Sequence, residues 1–369
     1  MNDASRRSFL SGLLMLLASA LALVGCEDKP QPPAGSAASG APATAQSGSP
    51  STPVPTSNKE YKIGWSVWTG WMPFKLMEEK GLLAKRAQEN GVKIKLVEFK
   101  GYMDSVQAFA AKKLDGCAMT SMESLQPASN GVESVGILIN DVSNGGDGLL
   151  LRGQSDLKAI KGQTVLLEEF SVSHYLLARA LESAGLTEKD VKVKNIPGDE
   201  AGKAFLTDDK VTAVATWNPH LFHAVEAGKG KVVFSSRDIP NEIMDFLIVN
   251  AGALKESPGL GKALAEAWFD AMALITDEKT RKEAIEIMAK GAGSSVEEFN
   301  KMLADTNLFT DRAKAAAFLE GDTIKTTMAK VKKFSFDHEL VKDAAFTIGY
   351  GQGATDKLRF VNTYVAQAK

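Results

Sequence analysis

From residue 61 to residue 250, apolar runs of strand length alternate with helical stretches, and this alternation restricts the chain to an α/β design with mainly parallel sheets. The strand-like runs are KIGWSV, VKIKLVEF, GCAMTS, VGILIN, LLLRG, QTVLLEE, VKVKNI, TAVATW, KVVFSS and FLIVN. Between them lie stretches such as DSVQAFAAKKL (104–114), SHYLLARALESAG (173–185) and NPHLFHAVEAG (218–228). Gly185 and Gly228 stand where a left-handed residue ends a helix. From Pro258 the pattern turns almost wholly helical, with GKALAEAWFDAMALI, TRKEAIEIMAKGA, SVEEFNKMLA and DKLRFVNTYVAQA, a tail expected to pack against the first lobe. Residues 60–369 are more than a single core usually serves, so two lobes are expected.

The first 59 residues stand apart from this body. SRRSFL (5–10) carries the paired Arg6 and Arg7 of a twin-arginine export signal, and an apolar stretch from Phe9 to Val24 follows. At 16 residues it is shorter than the ~20 that a membrane-spanning helix needs. It ends in LVGC (23–26), which looks like a lipobox, so residues 1–25 are expected to be a signal peptide and Cys26 the lipidated mature N-terminus. Residues 26–59 hold seven of the 13 prolines and little that could build a core, the composition of a solvated tether. The expected place is periplasmic or cell-surface, anchored to a bacterial membrane by the lipid. With Cys26 acylated, Cys117 has no partner for an intramolecular disulfide and reads as a small core residue.

GWSVWTGW (64–71) places Trp65, Trp68 and Trp71 at one strand-to-helix turn, in a chain that is only 7% aromatic. In open α/β sheets, ligands sit beyond the carboxyl ends of the strands. Applied to each strand-like run, that rule selects Trp68 and Trp71, then Thr120 and Glu123, then Asp141 and Asp147 within INDVSNGGDG. Further along it selects Glu168, Glu169 and Ser173, and finally Trp217 with Asn218. Glu168 and Glu169 alternate across a strand, so at most one is expected to face the cleft. Trp65 and Trp268 read as core. No Arg or Lys stands among these strand ends, whereas an anion site wants such groups. Indoles beside carboxylates suit a small planar cation instead, each cation–π contact contributing ~0.5–2 kcal/mol.

Catalysis finds little support. His220 and His223 could share a helix face, but no HExxH, CxxC, GxSxG or GxxxxGK[ST] accompanies them. A formal charge of −2, or −3 without residues 1–25, gives no basic footprint for nucleic acid.

KIGWSVWTGWMPFKLMEEKGLLAK, FKGYMDSVQAFAAKKLDGCAMTS and DLKAIKGQTVLLEEFSVSHYLLARAL together resemble the substrate-binding proteins of bacterial ABC importers. The branch is the one that includes nitrate, sulfonate, taurine and thiamine-precursor binders. INDVSNGGDGLLLRG resembles members associated with urea or guanidine carboxylases. The resemblance implies a two-lobed, type II-like periplasmic binding fold, with lobe 1 at 60–151 plus 247–369 and lobe 2 at 152–246. It implies a monomer without cofactor or metal that captures a small-molecule solute and delivers it to a permease and its ATPase subunit. A guanidinium- or urea-type solute is expected. Nitrate, sulfonate or a thiamine pyrimidine precursor is the alternative ligand, and a thiamine-precursor-type enzyme or a tethered sensor the alternative role.

Overall fold

The structure is a computed structural model that describes residues 59–368; the signal segment, Cys26 and the Pro-rich tether lie outside the described residues. Two mixed sheets carry the fold. The chain opens with β1 (Glu60–Ser66), α1 (Pro73–Glu79), α2 (Leu82–Glu89), β2 (Lys93–Phe99) and α3 (Tyr102–Ala110). It continues through β3 (Gly116–Thr120), α4 (Leu125–Ser129) and β4 (Ser134–Ser143). The run PFKLMEEKGLLAKRA forms two helices rather than one, because Gly81 between them takes φ +65°. β1 pairs in parallel with β2 and β3, while β4 is a fully buried strand two places beyond β3.

The second sheet follows, as β5 (Asp147–Leu151), β6 (Thr164–Leu167), α5 (Val172–Ser183), β7 (Lys192–Asn195), α6 (Gly198–Thr207), β8 (Ala213–Trp217), α7 (His220–Glu226) and β9 (Lys231–Ser235). Its strand order is β7-β6-β8-β5-β9. Gly185 and Gly228 do end α5 and α7, at φ +70° and +64°. The lobe boundary read from sequence needs correcting. β5 was expected in the first lobe, but it pairs antiparallel with β8 and β9, so the sheets divide at residues 144–146. An apolar run such as GLLL does not reveal its pairing partner; only the ladder does.

β10 (Met244–Asn250) returns to the first sheet and inserts antiparallel between β3 and β4. The two crossings touch: Ser143 Oγ and Ser236 Oγ are 2.8 Å apart, and the Gly145 N–H donates to Ser236 Oγ at 2.7 Å. The C-terminal part is mostly helical but adds β11 (Thr306–Leu308), β12 (Ile348–Tyr350) and β13 (Leu358–Phe360) to the first sheet. DKLRFVNTYVAQA is therefore not one helix. Leu358 and Phe360 alternate inward as β13 against β4, and helix begins only at Thr363. The long helix Gly259–Thr276 buries Trp268, whose ring lies 5.1 Å from that of Phe74, and the Trp65 ring lies 6.1 Å from that of Phe74. Both indoles are core, as their positions in the sequence indicated. Cys117 is core as well, and burial pushes its thiol up to about 12. Among the described residues no helix is long and apolar enough to cross a membrane.

Candidate functional site

A narrow cavity of about 20 Å³, room for little more than one water molecule, lies between the sheets. The first sheet supplies Ser66, Trp68, Trp71, Tyr102 and Thr120 from the turns that follow β1, β2 and β3. The second supplies Asp147, Val172 and Trp217, and the returning segment adds Ile243 and Asp245. Of the residues selected by the strand-end rule, Trp68, Trp71, Thr120, Asp147 and Trp217 meet here.

The aromatic wall spans both sheets. Trp71 packs on Tyr102 with ring centres 5.4 Å apart, and Tyr102 meets Trp217 edge-on at 6.1 Å. The Tyr102 hydroxyl accepts the Thr120 N–H at 2.9 Å, which fixes the ring. Two glycines make room for the indoles. A Cβ on Gly146 would lie 2.4 Å from Trp68 Cη2, and one on Gly198 would lie 2.0 Å from Trp217 Cη2. The Gly-Gly of SNGGDG is thus explained twice over: Gly145 turns the chain at φ +116° and Gly146 receives the Trp68 ring.

Behind this wall stand carboxylates without cations. Asp147 lines the cavity, and burial, helped by the charge of Glu123, pushes it up to about 7. Asp245 lies in register with Thr120 on β3 and Asp141 on β4, and burial beside Asp141 holds it well above the usual range. Asp141 sits one layer back, fully buried and raised by that burial. Its Oδ1 accepts the Trp68 Nε1–H at 3.2 Å, and its Oδ2 has no hydrogen-bond partner. Glu123 is likewise a backing residue, raised by burial. It accepts the Thr120 hydroxyl and the Val172 N–H, the latter at 2.7 Å. Among the described residues, no Lys, Arg or His lines the cavity.

The remaining expectations fall beside the cavity rather than on it. Glu168 accepts the Gly198 N–H at 3.2 Å and is pushed up to about 7 by burial. Glu169 is held through its backbone, whose N–H donates to Asn195 Oδ1 at 3.0 Å. Ser173 is buried with its hydroxyl unpartnered, next to the lining residue Val172. Asn218 uses Oδ1 to accept the Phe222 N–H at 3.0 Å, and its Nδ2 has no partner. His220 is half-hidden on α7 and burial drops it to about 4, while neither it nor His223 joins a metal-competent cluster.

Sequence reasoning passed over Tyr102 and Asp245. The strand-end rule looks to the carboxyl ends of parallel strands. β10 runs antiparallel, so it presents its amino end, Met244–Asp245, to the cavity. Tyr102 opens α3 directly after β2, a position the same rule would have reached had FKGYMDS been followed one residue past its glycine.

Relatives agree with this architecture. A protein named as an aliphatic sulfonates-binding protein of Escherichia coli (strain K12) is 24% identical over 241 residues, 64% of this chain and 73% of its own. The alkanesulfonate-binding protein SsuA of Xanthomonas axonopodis pv. citri, solved bound to MOPS, superposes with a TM-score of 0.65 at 16% identity, covering 76% of this chain and 94% of its own. The periplasmic nitrate-binding protein NrtA of Synechocystis PCC 6803 does so with a TM-score of 0.60 at 12% identity, over 80% and 91%. The fold is that of the periplasmic binding proteins, and residues 55–289 match the NMT1-like family, to which this chain belongs.

Proposed function

We propose that the protein is the extracytoplasmic solute-binding component of an ABC importer, lipid-anchored through Cys26, and that it captures a small guanidinium-type cation. One observation carries the ligand class: the cavity combines Trp68, Trp71 and Trp217 with Asp147 and Asp245, and no cationic side chain lines it. A sulfonate or nitrate would find no cationic side chain among the lining residues to pair with, and would meet carboxyl groups instead. A guanidinium is planar, stacks on indole and donates paired hydrogen bonds to a carboxylate. The relatives' sulfonates and nitrate therefore speak for the scaffold and not for this cavity. The binding role, rather than catalysis, rests on the family and on a lining without nucleophile–base pair.

Urea is the second reading, and a specific feature favours it. Asp245, whose carboxyl is raised by burial, can in its protonated form donate to a carbonyl oxygen, and the buried Trp71 Nε1–H has no partner. A thermal-shift and calorimetric screen with guanidine, urea, small amines, nitrate, taurine and a thiamine pyrimidine tests both. Ligand at a hundred times its dissociation constant adds ~2.7 kcal/mol of stability. A response to guanidine or urea is expected; a response confined to an anion overturns the ligand class.

A further inference from the structure

His174, Glu188 and His338 each bring one donor atom to within 4.8 Å of the others, and none of the three is among the residues that line the solute cavity. His174 lies in the first turn of α5, Glu188 starts the short turn Glu188–Asp190 beyond it, and His338 caps the helix Asp322–Asp337. We propose that these three side chains bind one divalent transition-metal ion of the zinc type, which ties the C-terminal helix to the second lobe. Two histidines and one carboxylate, with a fourth position open to water, form a known zinc-ligand set.

The geometry supports this on three counts. Ligand bonds of ~2.0–2.1 Å at tetrahedral angles set donor atoms about 3.3 Å apart. Here the His338 Nε2 lies 2.9 Å and the His174 Nε2 3.5 Å from Glu188 Oε1, so small shifts suffice. Next, the His338 Nδ1–H donates to the Phe334 carbonyl at 2.9 Å, which leaves Nε2 as the ligating nitrogen and orients the ring. Lastly, His174 is only 4% exposed and its Nε2 has no hydrogen-bond partner.

One bond must be exchanged. The His174 Nδ1 accepts the Phe170 N–H at 3.2 Å, and ligation through Nε2 places a proton on that Nδ1. Phe170 sits at φ +63° and is 42% exposed, at the surface end of that bond. An ion reaches the site from outside: Glu188 and His338 are partly exposed and border a surface groove shared with Lys189 and Asp337. Lys333 from the same helix pairs with Asp337 at 2.5 Å rather than with Glu188.

The test is a titration of the purified protein with zinc chloride against a chromophoric chelator at neutral pH, in a buffer free of guanidine and urea. One site of micromolar or tighter affinity is expected, and E188Q, H174Q and H338Q should each weaken it about tenfold or more. H223Q, outside the cluster, should leave it unchanged. Zinc should also raise hydrogen-exchange protection along Asp322–Asp337. Each variant's folding is checked by its unfolding temperature without zinc. Absence of a single site tighter than about 100 µM, or zinc affinity in E188Q and H338Q equal to that of the unsubstituted protein, overturns the proposal and leaves a hydrogen-bonded clamp.

Discussion

The indole N–H of Trp68 donates to Oδ1 of Asp141 at 3.2 Å, joining the turn after β1 to a strand 73 residues further along the chain. The bond makes the ring's orientation depend on a buried carboxylate whose other oxygen is unpartnered. Replacing Trp68 with Ala would remove core as well as wall, because the side chain is only 5% exposed. Trp68→Phe is the cleaner probe. It keeps an aromatic face and strands the carboxylate, with an expected loss of about 1–3 kcal/mol and a lowered affinity. Calorimetry should measure it, since urea and guanidinium are candidate ligands as well as denaturants. Unchanged stability would mean that the bond contributes nothing.

Much of this was legible because it is local. The alternation of strands and helices, the glycine helix stops and the cluster of indoles at one turn are all short-range patterns. Trp68, Trp71 and Trp217 could be picked from them. Which residues stand behind the wall was not legible. Asp141 and Glu123 were selected at strand ends, but that they back the wall rather than line the cavity follows only from ladders and bonds made at long range, and Asp245 depends on the direction of β10. The same limit put β5 in the wrong lobe and hid β13 within a helix-like run.

Asp147→Asn should separate function from stability. The carboxylate is 4% exposed and burial has pushed it up to about 7, so its ionised form destabilises the ligand-free protein. The amide removes that cost. At pH 8 the variant is expected to unfold at a higher temperature, by on the order of 1–3 kcal/mol of stability, while guanidine affinity falls at least about tenfold. A less stable variant with intact binding would show that Asp147 is structural.

The pH profile distinguishes the two ligand readings. Asp147 at about 7 binds a proton in the folded state that the unfolded chain, at about 3.9, has already lost. The contribution of Asp147 to the stability of the ligand-free protein should therefore fall as pH rises from about 4 to about 7 and level off above. A cation needs the ionised form, so guanidine affinity should rise over the same window, up to about tenfold per pH unit for each proton released. Titrations in two buffers of different ionisation enthalpy would register those protons. Neutral urea should show no such rise and should weaken once the acid that donates to it ionises.

Gly198→Ala and Gly146→Ala test the fit of the indoles. The added methyl groups would lie 2.0 Å from Trp217 Cη2 and 2.4 Å from Trp68 Cη2, too close without moving a ring. Each ring moves toward the cavity or away from it, and the site is small. Overpacking of this kind costs about 1–3 kcal/mol, and affinity is expected to fall by more than the stability change alone implies. Normal affinity in both variants would place the rings outside ligand contact.

Glu123 links the two lobes through hydrogen bonds of a different kind. Its carboxylate takes the Thr120 hydroxyl from the end of β3 and, at 2.7 Å, the N–H of Val172 at the start of α5. The amino end of a helix carries partial positive charge, so an ionised carboxylate there is favoured electrostatically as well. Because the partners belong to different sheets, the bond exists only while the lobes are together. Glu123→Ala should shift the protein toward a more open form: about tenfold weaker solute binding and a larger radius of gyration by X-ray scattering. Glu123→Gln keeps a carbonyl oxygen to accept from Val172 and should recover most of the closure without the charge. If Ala and Gln variants scatter alike and bind alike, the contact merely fills space; if only Gln closes normally, Glu123 is what holds the cavity shut.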